Sequence, residues 1–141
     1  MDRRINELLI SVSVRVVTGM VSGGTLALAG WFIAWFFFLR PSASLTESMI
    51  VFMATTGVAG GLGASLAWLR PDDGMRANLP MILLAVLGGV GGVLAGLAFA
   101  RTVVDVDVTR GEGDVTAIAA AGIAANLPPL IMFLVGGRSE S

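Results

Sequence analysis

The chain contains no cysteine, histidine, tyrosine, lysine or glutamine, and each absence removes a class of chemistry. Without cysteine there is no disulfide, thiol nucleophile or thiolate metal site, and cysteine usage says nothing about the redox compartment. Without histidine there is no imidazole base and no metal centre of the common nitrogen-ligated kind. All nine basic residues are arginine, so no lysine can form a Schiff base and no basic side chain readily gives up its proton. Charge is scarce: charged residues make up 13% of the chain, against about 25% in soluble domains. A net charge of -1 gives no electrostatic reason to expect a nucleic-acid partner. No nucleophile and base fall together, so neither an enzyme nor a cofactor or metal site is expected.

Apolar residues fill the space that charge leaves. They make up 55% of the chain, and the mean hydropathy is +0.86. Four uncharged stretches, at about 16–39, 49–69, 79–100 and 115–137, each reach the roughly 20 residues that cross a 30 Å hydrocarbon core at 1.5 Å per residue. Four such helices in one soluble domain would leave no polar surface for water. The pattern therefore predicts an all-α, integral membrane four-helix bundle, one transmembrane domain with antiparallel neighbouring helices.

The connectors carry helix-end signals. Arg40-Pro41 closes the first stretch, and Ser44-Leu45-Thr46-Glu47 is a capping-box pattern opening the second. Arg70-Pro71-Asp72-Asp73-Gly74 reads as a turn, with Asn78 or Leu79 ahead of Pro80 opening the third helix and Asp114 capping the fourth. Arginines divide six (Arg3, Arg4, Arg15, Arg70, Arg76, Arg138) to three (Arg40, Arg101, Arg110) between the two sides. That split places both termini in the cytoplasm, in a cell (inner) membrane. Ala27-Leu28-Ala29 resembles a signal-peptide cleavage site, but the apolar run continues through Trp31 to Leu39, as an uncleaved helix requires. Trp31 and Trp35 fall at the outer end of the first span and Trp68 at the inner end of the second, where indoles favour the headgroup boundary. Residues 2–14 space Ile5, Leu8, Leu9 and Val12 as a helix, either interfacial or an extension of the first span, while 10–17 alternate like a strand.

Small residues recur four apart, at Gly19, Gly23 and Ala27, at Gly57, Gly61 and Ser65, and at Gly88, Gly92, Gly96 and Ala100. Each row shares one helix face and makes a groove into which a neighbouring backbone can pack. Gly60 with Ala64 forms a second row beside Gly57 with Gly61, so either the bundle uses several faces or some grooves are spare for another subunit. Val21-Ser22-Gly23-Gly24 with Trp31 is echoed by Val58-Ala59-Gly60-Gly61 with Trp68 at the same spacing.

The fourth stretch holds one polar feature, Asn126-Leu127-Pro128-Pro129, near its centre. Pro128 and Pro129 remove two amide donors and free the carbonyls of Ala124 and Ala125. Asn126 either bonds a neighbour, with Thr55, Thr56 and Ser65 as candidates, or lines a polar path at the bilayer midplane. A simple helix tie predicts a cost near 0.6 kcal/mol for Asn126→Leu. The loop from Thr102 to Asp114 alternates Val with Asp and then adds Glu112 and Asp114, without the ligand spacing of an EF-hand. The spans contain no ionisable residue, which argues against proton relays and voltage sensors. The expected role is a non-catalytic structural or accessory subunit whose partners are the lipid bilayer and either itself or a larger membrane protein. The alternative is a small homo-oligomeric channel or facilitator.

Overall fold

The computed structural model describes residues 2–39, 44–70, 72, 74–107 and 111–139, the last three as backbone only. It is all-helical, with no strand among the described residues. Helix α1 (Asp2–Ile33) runs without a break through the N-terminal segment and ends in a π-helical turn, Ala34–Phe38. Helix α2 (Leu45–Phe52) passes through a second π-helical turn, Met53–Gly57, into α3 (Val58–Ser65). Helix α4 covers Gly74–Thr102, and the last run is divided into α5 (Asp114–Ala124) and α6 (Leu127–Ser139). Four of these runs, Asp2–Phe38, Leu45–Ser65, Gly74–Thr102 and Asp114–Gly136, are long and apolar enough to cross a membrane. The stops expected at Arg40-Pro41 and Pro71, together with Asp73 and Arg110, lie outside the described residues.

Local chemistry sets most of the helix ends. The Ser44 hydroxyl accepts from the Glu47 amide at 3.2 Å while the Ser44 amide donates to Glu47 Oε2 at 3.1 Å, a reciprocal cap that opens α2. At the end of α3 the chain tightens, as the amides of Leu66, Ala67 and Trp68 donate to carbonyls three residues back. Helix α4 begins a full turn before Asn78, at Gly74, which adopts φ +74°. Asn78 is buried inside the helix: its Oδ1 accepts from the Arg70 amide, and its Nδ2 donates to the carbonyls of Arg70 and Gly74. This clamp nucleates the first turn, so Pro80 sits inside α4 and frees only the carbonyl of Arg76, an exposed residue. Asp114 is the first residue of α5 and not its cap; Gly113 takes that position and the Asp114 side chain turns inward.

Each run packs against the next through small residues. Gly30, Gly23 and Gly19 of α1 meet Thr55, Ala64 and Trp68 in turn. Gly57 and Gly61 meet Val90 and Val86 of α4, and Gly88, Gly92 and Gly96 meet Ala124, Ala120 and Thr116. Gly122 closes the ring against Gly23 and Gly24. The interior is consequently built of alanine and glycine, with Ala27, Ala64, Ala85, Ala117 and Ala121 fully enclosed. Phe52, Trp68, Val93 and Leu97 are buried among them, but many large apolar side chains point outward: Val21, Leu87, Ile131 and Val135 are each at least 60% exposed. A water-soluble helical bundle has the opposite arrangement, with large apolar residues inside and polar residues outside.

Candidate functional site

Two polar side chains of the fourth run, Asp114 and Asn126, are drawn into the bundle at two levels, and each is held by tryptophan. At one end Asp114 Oδ2 accepts from Trp31 Nε1 at 2.6 Å and from Trp35 Nε1 at 2.8 Å. Asp114 is buried, and its Oδ1 meets no donor among the described residues. Twelve residues further along, about 18 Å at 1.5 Å per residue, Asn126 Oδ1 accepts from Trp68 Nε1 at 2.9 Å, and Asn126 Nδ2 donates to the Gly122 carbonyl at 2.6 Å. Trp68 is fully buried and Asn126 is 3% exposed. Gly19 makes this contact possible, because a Cβ added there would collide with the Asn126 amide. Gly19, Trp68 and Asn126 thus form one node shared by three runs.

Prolines 128 and 129 divide the fourth run as expected. The Asn126 amide reaches back only three residues, to Ile123, and the Leu130 amide resumes the helix on the Asn126 carbonyl. The freed Ala124 carbonyl faces the Gly88 backbone, so close that an added Cβ would lie 2.7 Å from it. Pro128 Cδ packs on the same glycine, and Pro129 is fully buried. The hydroxyls of Thr55 and Ser65 are satisfied by their own helix, on Val51 and Leu62, and take no part in holding Asn126. Thr56 Oγ1 is buried without a partner among the described residues.

All seven glycines of the three rows, Gly19, Gly23, Gly57, Gly61, Gly88, Gly92 and Gly96, meet atoms of another helix of the same chain. The second row does too: Gly60 lies against Ala27 and Ala121, and Gly63 against the Ser22 carbonyl, while the Ser22 hydroxyl donates to Gly63 O at 2.7 Å. Open space remains only at glycines outside the rows, such as Gly24 and Gly91. The acidic loop does not gather its carboxylates. Glu112 accepts from the Asp107 amide at 2.7 Å, Asp105 and Asp107 are exposed, and Asp114 faces the tryptophans. No group of three potential metal-ligating side chains occurs among the described residues.

Comparison with protein families, curated proteins and solved structures finds no match.

Sequence reasoning placed the three tryptophans at headgroup boundaries and treated Asp114 as a helix cap. It does not find the three indole hydrogen bonds. A signal was present: an indole N–H that is buried needs an acceptor, and the uncharged runs offer few side-chain acceptors besides Asn126 and threonine or serine hydroxyls. Arg15 likewise enters the sequence reading only as one of the six arginines of one side. Its guanidinium lies 5.2 Å over the Phe133 ring, which itself packs edge-on against Trp68.

Proposed function

We propose that the chain is a four-span antiparallel membrane bundle acting as a non-catalytic structural or accessory subunit, with both termini in the cytoplasm. The observation that carries the membrane reading is the packing: the helix seams are mostly glycine and alanine, while many leucine, valine and phenylalanine side chains, among them Leu87, Val21 and Phe36, are exposed. In lipid the outward residues lose nothing, and close backbone approach supplies the attraction between helices. The levels of the polar groups agree with this. Arg15 and Trp31 lie sixteen residues apart on the unbroken α1, about 24 Å of helix, a spacing on the scale of the hydrocarbon core between the Arg15 and Phe133 contact and the Trp31 and Asp114 contact.

A supporting role is favoured over conduction because the midplane groups that could line a path, Asn126 and the freed Ala124 carbonyl, are already covered. Asn126 is taken by Trp68 and Gly122, and the Ala124 carbonyl is covered by Gly88. The N-terminal part of α1 also projects unpacked, with Ile5, Leu8, Leu9, Ile10 and Val14 exposed. Those exposed apolar side chains offer a surface to a second copy or a larger membrane protein. Reporter fusions test the topology: Ser139 and Asp73 should read cytoplasmic, and Ser44 and Gly111 external. Native mass spectrometry after mild extraction tests the role. A homo-oligomer or hetero-complex is expected, whereas a lone monomer that passes ions or small neutral solutes across reconstituted vesicles would overturn it.

A further inference from the structure

We draw no further inference here: the strongest candidate, the exposed apolar patch that Ile5, Leu8, Leu9, Ile10 and Val14 form on the N-terminal part of α1, carries nothing because nothing in the structure shows what covers it.

Discussion

Replacing Asn126 by leucine removes the only hydrogen-bond partner found for the Trp68 indole among the described contacts. From sequence, a simple helix tie sets the cost near 0.6 kcal/mol, the average for an interhelical hydrogen bond in a membrane. The geometry raises that figure, because Trp68 is fully buried and its N–H would be left with no water to turn to. An orphaned buried donor costs about 1–3 kcal/mol, so Asn126→Leu should destabilise the bundle by that amount. Trp68→Phe keeps the edge-on contact with Phe133 but strands Asn126 Oδ1, at a similar cost. In the double variant neither polar group remains, so its loss should be at least about 1 kcal/mol smaller than the sum of the single losses. Unfolding of the four proteins by sodium dodecyl sulfate in mixed micelles, followed by far-UV circular dichroism, closes the cycle. Additive single effects within about 0.3 kcal/mol, or a cost for Asn126→Leu no greater than 0.6 kcal/mol, would refute the coupling.

Other perturbations follow from the same contacts. Gly19→Ala should destabilise despite the better helix propensity of alanine, worth about 1 kcal/mol, because its Cβ displaces the Asn126 amide; Gly24→Ala, which meets open space, is the control in the same titration. Gly92→Leu should abolish folded, monodisperse protein by forcing α4 from Ala120, while Gly91→Leu, also facing open space, should purify as the parent does. Asp114→Leu leaves both indole donors of Trp31 and Trp35 unpaired, at about 1–3 kcal/mol each, and Asp114→Asn, which keeps an acceptor oxygen, should recover most of the loss; thermal melts read both.

The helical runs were legible because length and hydropathy alone decide whether a segment can cross a bilayer, and the Ser44 to Glu47 cap because its two bonds are local in sequence. The boundary at Gly74 was not, since the clamp that nucleates α4 joins Asn78 to Arg70, eight residues back in a segment that reads as a turn. The glycine rows could be found from their spacing, but not which helix each row faces. Gly57 and Gly61 look toward α4 while Gly60 and Gly63 look toward α1. Two faces of one run are therefore used inside the chain, and a surplus of small residues does not by itself leave a groove for a partner.

The tryptophans explain why a run broken by Pro128 and Pro129 holds its place. Shortened to eleven residues, α5 presents little surface of its own beyond alanine and glycine, and small-residue packing is sensitive to a slide along the helix axis only through close backbone contacts. Hydrogen bonds at both ends fix that coordinate: Trp31 and Trp35 hold Asp114, and Trp68 holds Asn126. A shift of one residue, about 1.5 Å, would strain three of these bonds together and drive the Ala124 and Ala120 carbonyls off Gly88 and Gly92. The echo that sets Trp31 and Trp68 at matched positions after their Gly-Gly pairs thus has a physical counterpart, because each indole donates to a polar side chain of the fourth run. Register along the bundle is set by these two polar levels, and the glycine seams supply the contact area between them.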